Sequence, residues 1–266
     1  TISNEKDIWD ADTKTDWSLI SARNGANLTI TGNGSFKAKK DDCYAVDVQD
    51  GATVTIEDGT FIGNIHAVYV YEGTANIKGG FYAVQQKYTD ANKADGFVLN
   101  CYDANRTGGT AKIIVTGGTF VNFNPADCWA EGEHTNFVAD GYSVISEQHG
   151  ADTWYTVVKG TGVVAGSQKA LNEGIANSAT KDVTVVMPAN SSVTLDNGIA
   201  NDDAKARDIT FVGDGSQTVD IHTDNKGENG NKLNYQRGST FTFENLTVTA
   251  ATSGNYEGIV CDGLTY

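Results

Sequence analysis

The chain has 266 residues with 39% hydrophobic content, which is enough for one large or two ordinary domains with a buried core. Its 30 glycines and 2 prolines, with abundant Thr, Asn, Asp and Val, favour short strands joined by turns over a helical fold. The formal charge of −15 argues against nucleic acid as a partner, because a phosphate backbone would be repelled.

Four segments in the first half of the chain share one pattern of alternating apolar residues, a Gly-containing turn and an aromatic residue. They are LTITGNGSF (28–36), VTIEDGTF (54–61), NIKGGFY (76–82) and IIVTGGTF (113–120). The equivalent residues Ile30, Ile56, Ile77 and Val115 are separated by 26, 21 and 38 positions, and the last step contains an insertion. The shorter steps suit one turn of a parallel β-solenoid, in which each turn of chain hydrogen-bonds to the next.

A second arm of the repeat reads YAVDVQDG (44–51), HAVYVYEG (66–73) and, more loosely, GFVLNCYD (96–103). Stacking of the repeats predicts three interior ladders: Val46, Val68 and Leu99 with Val48, Val70 and Cys101; Ile30, Ile56, Ile77 and Val115; and Phe36, Phe61, Phe81 and Phe120. The alternative is an antiparallel sandwich, which would use the same strand lengths and turn residues. Recurrence of one phrase at one coil's length favours the parallel arrangement.

The pattern changes at residues 137–158, FVADGYSVISEQHGADTWYTVV, which predict a hairpin that caps a first module covering 1–158. A helix is expected over 167–179, SQKALNEGIANSA, with Ser167 as its N-cap. The strand-like segments DVTVVMPANSSVTL, ITFVGDG and FTFENLTV follow the helix. They predict a second module over 159–266, and further repeats are expected beyond Tyr266. The N-terminus is interpreted as a cut or processed end.

The phrases VTIEDGTF, NFVADGYSVI…DTWYTVV and FTFENLTV…EGIVCDGLTY resemble the right-handed parallel β-helix proteins of the pectate-lyase-like superfold in gut bacteria and their phages. The resemblance covers roughly residues 27–266. It implies an all-β fold of two tandem β-helix modules, with a capping hairpin and one short amphipathic helix between them. Proteins that resemble this are commonly virion fibres, spikes or head decorations, or else bacterial surface proteins. Homotrimers and contacts with other virion or surface proteins are implied in the same way.

A polysaccharide lyase on this fold needs a carboxylate cluster for calcium and an unprotonated basic residue on one outer face. The predicted outer positions are instead Asp47 and Gln49, Tyr69 and Tyr71, and Asn100 and Tyr102. One carboxylate without a base does not meet the lyase pattern, so we predict no catalytic residues, no metal and no cofactor. The four histidines are scattered, with His66 expected on the surface, and Asp202, Asp203, Arg207 and Asp208 are interpreted as a solvated loop. Cys43, Cys101, Cys128 and Cys261 have no metal-binding spacing and are expected to be buried free thiols, although a Cys101–Cys128 disulfide stays open.

Exposed rings beside hydrogen-bonding groups suit stacking on sugar rings, so Tyr69, Tyr71, Tyr102 and Asp47 form a candidate glycan-binding face. The alternative is that stacked tyrosines only stabilise the ladder. The longest loops are QQKYTDANKAD (85–95) and NPADCWAEGEHTN (124–136), and Trp129 in the second is a further candidate.

The leading hypothesis for function is a non-enzymatic segment of a phage fibre, spike or head decoration that presents a surface to the host. A bacterial surface adhesin is the alternative, and a polysaccharide lyase or glycoside hydrolase ranks third. The corresponding location is the virion, or else the bacterial surface or the secreted fraction. The possible partners are virion or surface proteins and a host-surface glycan. Neither nucleic acid nor membrane insertion is expected.

Overall fold

The computed structural model describes residues 2–3, 18–40, 42–86, 97–195, 207–222 and 240–251. These residues form a mostly β protein with parallel sheets and two helices. The chain divides into two compact units, Thr1–Val158 and Lys159–Tyr266. Each unit has its own hydrophobic core.

The first unit consists of short strands and one short helix, α1 (Asp103–Thr107). Its strands are β1 (Ile2–Ser3), β2 (Ser18–Ala22), β3 (Asn27–Ile30), β4 (Ser35–Lys37), β5 (Tyr44–Val48), β6 (Ala52–Ile56), β7 (Thr60–Gly63), β8 (His66–Val70), β9 (Gly73–Ile77), β10 (Phe81–Val84), β11 (Leu99–Cys101), β12 (Ala111–Val115), β13 (Thr119–Val121), β14 (Tyr142–His149) and β15 (Asp152–Lys159).

From β2 to β13, each run of three consecutive strands contributes one strand to each of three sheets. The valine sheet has the order β11-β8-β5-β2, and the isoleucine sheet has the order β12-β9-β6-β3. The ring sheet has the order β1-β4-β7-β10-β13-β15-β14. Neighbouring strands from successive runs are parallel in all three sheets, which confirms the predicted parallel pairing of the repeats.

Two of the predicted ladders are confirmed residue by residue. In the valine sheet Val46 pairs with Val68 and Val68 with Leu99, while Val48 pairs with Val70 and Val70 with Cys101. In the isoleucine sheet the pairs are Ile30 with Ile56, Ile56 with Ile77, and Ile77 with Val115. All of these side chains are buried, because every second residue of a strand points to the same face.

The third ladder contains Tyr82 where the sequence analysis placed Phe81, so that part of the prediction is wrong. Phe36 pairs with Phe61, Phe61 with Tyr82, and Tyr82 with Phe120. The rings stack at centroid distances of 5.0, 5.4 and 4.9 Å in that order. The Tyr82 hydroxyl donates to Gly79 O at 2.7 Å, which satisfies its polar group inside the core. Phe81 lies on the other face, where its ring meets Trp154 edge-on at 4.9 Å.

The last run of strands in the first unit, β11 to β13, is covered at the edge of each sheet. Strand β15 pairs antiparallel with β13, placing Tyr155 opposite Phe120, and β14 follows beside it. A parallel bridge joins Val138 to Val115 at the edge of the isoleucine sheet. At the edge of the valine sheet, the Cys101 N–H donates to Glu131 Oε1 at 2.7 Å. The cap is therefore the predicted hairpin together with residues 124–138.

The second unit repeats the parallel arrangement with two sheets and helix α2 (Gln168–Ala176). Its strands are β16 (Thr161–Val164), β17 (Asp182–Val186), β18 (Ser192–Leu195), β19 (Asp208–Val212), β20 (Thr218–His222), β21 (Thr240–Glu244) and β22 (Thr247–Ala251). The sheet orders are β16-β17-β19-β21 and β18-β20-β22, with parallel pairing throughout. Leu171 and Ile175 of α2 are buried in the core of this unit.

The predicted N-cap of α2 is confirmed: Ser167 has an extended backbone, and its hydroxyl oxygen accepts from the Ala170 N–H at 3.2 Å. We expect Ser167→Ala to lower the free energy of unfolding of the second unit by about 1 kcal/mol, because one helical N–H loses its acceptor. Hydrogen exchange of the α2 amides would measure the loss. Ser167→Asp keeps an acceptor and should restore the protection; equal losses in both variants would contradict the capping role.

The interpretation of Arg207 and Asp208 as a solvated loop is wrong. Arg207 is buried, and its guanidinium donates to Ser178 O at 3.2 Å. Asp208 begins β19, and its carboxylate pairs with Lys181 Nζ at 3.1 Å. The remaining members of the predicted loop cluster, Asp202 and Asp203, lie outside the described residues.

Candidate functional site

The outer face of the valine sheet carries a ladder of polar and aromatic residues. Ser21 pairs with Asp47, Asp47 with Tyr69, and Tyr69 with Asn100. Because successive residues point to opposite faces, these four alternate with the buried valine ladder. The register therefore places Asp47, Tyr69 and Asn100 where the sequence analysis expected them.

Tyr71 and Tyr102 form an exposed aromatic pair that follows β8 and β11 in the chain. The two residues are 41% and 42% exposed, and their rings stack at 4.8 Å with an interplanar angle of 29°. Asn105 of α1 donates from Nδ2 to Tyr71 O at 2.6 Å, so the helix holds the backbone beneath the pair. This tyrosine pair offers ring surface to a ligand.

Tyr69 belongs to a different ring cluster, formed with Tyr44 and His66. Its ring lies 4.8 Å from Tyr44 and stacks on His66 at 5.3 Å, while the His66 ring also lies 5.0 Å from Tyr44 in a tilted contact. Burial, followed by the nearby Tyr44 and Asp47, raises the pKa of Tyr69 well above its usual range. The predicted aromatic strip is thus two groups, one exposed and one half-buried. His66 is buried rather than on the surface as expected.

The Asp47 side chain lies on the outer face but is 0% exposed. Its Oδ2 accepts from Gln49 Nε2 at 2.6 Å and from Ser21 Oγ at 3.4 Å, and Arg23 Nη2 lies 3.9 Å away. Its Oδ1 has no hydrogen-bond partner among the described residues. Burial raises the pKa of this carboxyl to about 6. In this position the Asp47 carboxylate is enclosed by its neighbours and has no exposed surface.

Residues 124–136 contain Trp129 and bring Glu131 to the edge of the valine sheet, where it accepts from the Cys101 N–H. Burial raises the pKa of Glu131 to about 7, and the neighbouring Asp103 carboxyl adds to the rise. Arg106 opposes it, while its guanidinium lies 5.6 Å from the centre of the Phe137 ring. Trp129 is half-buried within this cap. Sequence reasoning missed Glu131, whose only signal was its place in a long loop after the last repeat.

Other titratable groups occur on exposed turns of the first unit. His134 Nδ1 lies 2.8 Å from Asp127 Oδ1, and this hydrogen bond raises the pKa of the imidazole. Cys43, Cys101 and Cys128 are instead buried, as expected, and the described residues contain no disulfide between them; Cys261 lies outside the described residues. Within the described ranges, no group of three His, Cys, Asp or Glu side chains could hold a metal ion.

The second unit has a shallow polar groove of about 260 Å³ that the sequence analysis did not predict. Its charged residues are paired, with Lys159 Nζ 2.8 Å from Asp182 Oδ1. The groove is lined by Lys159, Asp182, Val183, Thr184, Asp208, Thr210, Thr240 and Thr242. The signal in the sequence is the repeated phrase KDVTVV (181–186) and RDITFV (207–212), which places equivalent side chains in register.

No protein-family model, curated protein or solved structure matches the chain. None of the helices in the described part of the chain is long and apolar enough to cross a membrane.

Proposed function

We propose that both units are right-handed parallel β-helices and that the chain is a non-enzymatic, receptor-binding segment of a phage fibre, spike or head decoration. The observation that carries the proposal is the combination of register-matched parallel strands with an exposed tyrosine pair on their outer side. A stacked scaffold of this kind keeps surface residues in fixed positions over its length. The phage assignment is supported by the resemblance of the FVADGY…WYTVV phrase.

The β-helix assignment is supported by the order in which strands join the sheets. Each run of three strands visits the valine, isoleucine and ring sheets in turn, and the next run adds one parallel strand to each sheet. A parallel neighbour requires the chain to cross over before it pairs again, and in this unit the two intervening strands make that crossover.

A structural role is favoured over lyase chemistry by the state of the one carboxylate in the ladder. Asp47 is closed off by its neighbours, and its contacts with Gln49 and Ser21 occupy Oδ2. Arg23 approaches this carboxylate and shares its charge, so it is not placed as a free base toward solvent. Calcium-assisted proton abstraction needs open carboxylates and an unprotonated base instead.

We infer that the surface ligand is an uncharged sugar ring held against Tyr71 and Tyr102. A sugar can lie on an exposed ring, and the carboxylates of Glu72 and Asp103, which directly follow the two tyrosines in the chain, could accept hydrogen bonds from its hydroxyls. Acidic glycans are disfavoured because the chain carries a net charge of −15. Tyr69, Asp47 and Trp129 would act by holding the scaffold around the pair.

We expect Tyr71→Ala and Tyr102→Ala each to weaken binding of a neutral glycan by about 2- to 10-fold, because each removes a ring face. A glycan array would first identify the neutral ligand, and calorimetry would measure the affinities of the variants. Ile114→Ala is the matched control, since Ile114 is 39% exposed on the isoleucine sheet. Binding that is confined to sialylated or uronate glycans, or unchanged in both tyrosine variants, would contradict this site.

The location is tested by labelling a phage-producing culture with gold-conjugated antibodies against the chain. The virion proposal predicts label on particles. Label confined to the bacterial envelope would overturn it in favour of a surface adhesin. Calcium-dependent release of unsaturated sugars from uronate polymers would overturn the non-enzymatic role.

A further inference from the structure

Two ionisable side chains of the valine sheet, Asp47 in β5 and His66 at the start of β8, are buried beside the same two tyrosines. Asp47 is 0% exposed, and the residue His66 is 7% exposed. Tyr44 and Tyr69 lie between them: Tyr44 pairs with His66 and Tyr69 pairs with Asp47 across the same two strands. The two groups therefore share one packed cluster.

The surroundings of Asp47 favour a neutral carboxylic acid. Ser21 and Arg23 face it from β2 and the residue after it, and Gln49 and Asp50 face it from the turn after β5. Burial raises the pKa of the carboxyl and outweighs Gln49, Arg23 and Ser21, which stabilise the charged form, and Asp50 adds to the rise. The one cation in this set, Arg23, is 3.9 Å from Oδ2. The buried Oδ1 would carry part of the negative charge without a donor from the described residues. A buried carboxylate in that state is costly, whereas a protonated one is not.

The surroundings of His66 favour a neutral imidazole. Tyr44 packs against its ring from β5, Tyr69 from its own strand, and Phe97 edge-on at 6.1 Å. Its Nδ1 lies 2.6 Å from Phe97 O, so in the neutral ring the Nδ1–H donates to that carbonyl. Burial among three rings disfavours a positive charge on the other nitrogen.

We propose that Asp47 and His66 form a proton-exchanging pair: when the first unit folds, one proton leaves the imidazole and one joins the carboxyl, with no net uptake. In the unfolded chain at mildly acidic pH the carboxyl is ionised and the imidazole is protonated. In the folded chain both groups are neutral. The proton lost by His66 goes to solvent, and the proton gained by Asp47 comes from solvent, so the two balance. The pair therefore adds no net pH dependence to the free energy of unfolding of the first unit.

Proton linkage gives the direction in which each group changes the free energy of unfolding as pH changes. Burial raises the pKa of Asp47 from 3.8 to about 6, so its contribution is present below pH 3.8 and is lost as pH rises through 6. Burial lowers the pKa of His66 from 6.5 to about 4, so its contribution is present above pH 6.5 and is lost as pH falls through 4. The two contributions to the free energy of unfolding change with pH in opposite directions over nearly the same pH range, so they cancel.

Glu131 is another group that changes the free energy of unfolding with pH, in the same direction as Asp47. Its raised pKa, about 7, makes its contribution largest at acidic pH. It also contributes to the field at Tyr69. Because Glu131 is unchanged in variants of the pair, its effect is removed when each variant is compared with the wild-type chain at the same pH.

The test is urea unfolding of the full chain from pH 4 to pH 7, followed by tryptophan fluorescence. All four tryptophans (Trp9, Trp17, Trp129 and Trp154) lie in the first unit, so the signal reports that unit. Relative to wild type, Asp47→Asn should lose stability as pH falls from 6 to 4, by up to about tenfold in the folding constant per pH unit. His66→Gln, which keeps an N–H donor for Phe97 O, should gain stability by a similar factor.

Asp140→Asn is the matched control, because Asp140 is exposed in the turn before β14 and is not among the groups that act on Asp47 or His66. This variant should keep the pH dependence of the wild-type chain. The proposal would be overturned if Asp47→Asn and His66→Gln kept the pH dependence of the wild-type free energy of unfolding, or if both changed it in the same direction. If a variant does not fold, pH titrations of the wild-type chain followed by carbon-13 and nitrogen-15 NMR would measure the two side chains directly. Midpoints near pH 6 for Asp47 and pH 4 for His66 support the pair, whereas ordinary midpoints for both overturn it.

Discussion

Replacing Phe61 by alanine is expected to lower the free energy of unfolding of the first unit by about 3–5 kcal/mol. Phe61 is fully buried, and its ring lies between Phe36 at 5.0 Å and Tyr82 at 5.4 Å. Removing it leaves a cavity in a ladder whose neighbours are fixed by sheet hydrogen bonds on both sides, so little collapse can fill the space. Urea unfolding followed by tryptophan fluorescence would measure the loss.

Phe81→Ala is the informative comparison for Phe61→Ala. Phe81 is half-buried on the opposite face of β10 and contacts Trp154 at its ring edge. Phe81→Ala should lower the free energy of unfolding by less than half as much as Phe61→Ala, because it removes no member of the ring ladder. If Phe81→Ala were the more damaging of the two substitutions, the register of β10 would be wrong by one residue.

Gly73→Ala should destabilise the first unit by about 3 kcal/mol or more. Gly73 begins β9 with φ of +130°, a backbone conformation that other residues rarely adopt. A Cβ at this position would also overlap the carbonyl oxygen of Ala52 in the preceding run of strands. Relief would require β6 and β9 to separate, which would break backbone hydrogen bonds between them. The same fluorescence-detected unfolding measures the effect.

Gly51→Ala separates the two causes. Gly51 has φ of +72°, but a Cβ there would meet nothing within 4 Å. The expected cost is therefore the backbone strain alone, about 1–2 kcal/mol. Equal losses in the two variants would show that the close approach to Ala52 contributes nothing.

The parallel ladders could be predicted because their signal lies within the repeats themselves. Apolar alternation fixes which side chains point inward, and recurrence fixes which residues stack. The error at Phe81 came from matching residue type instead of spacing. Phe61 follows Ile56 by five positions, and the residue five positions after Ile77 is Tyr82. Counting from the isoleucine ladder would have found the tyrosine, whose hydroxyl is accommodated by Gly79 O.

The burial of Asp47 and His66 could not be predicted in the same way. The alternation correctly placed Asp47 on the outer face, but it does not report what covers that face. Here the cover comes from Tyr44 and Tyr69, together with contacts from Arg23 and Gln49. Arg207 was similarly misassigned because its acceptors, the carbonyls of Ser178 and Thr180, lie in a distant part of the sequence. Such contacts depend on how the outer surfaces pack, which periodicity does not encode.

The covered edges of β11, β12 and β13 bear on how copies of this protein can associate. An open strand edge is a template on which another chain can extend a sheet, and repetitive β proteins are prone to joining end to end in this way. Glu131, Val138 and Tyr155 occupy these three positions from within the same chain. Sheet extension at this end would first have to break the contacts of the cap, so copies that associate at this end would have to meet through side-chain surfaces.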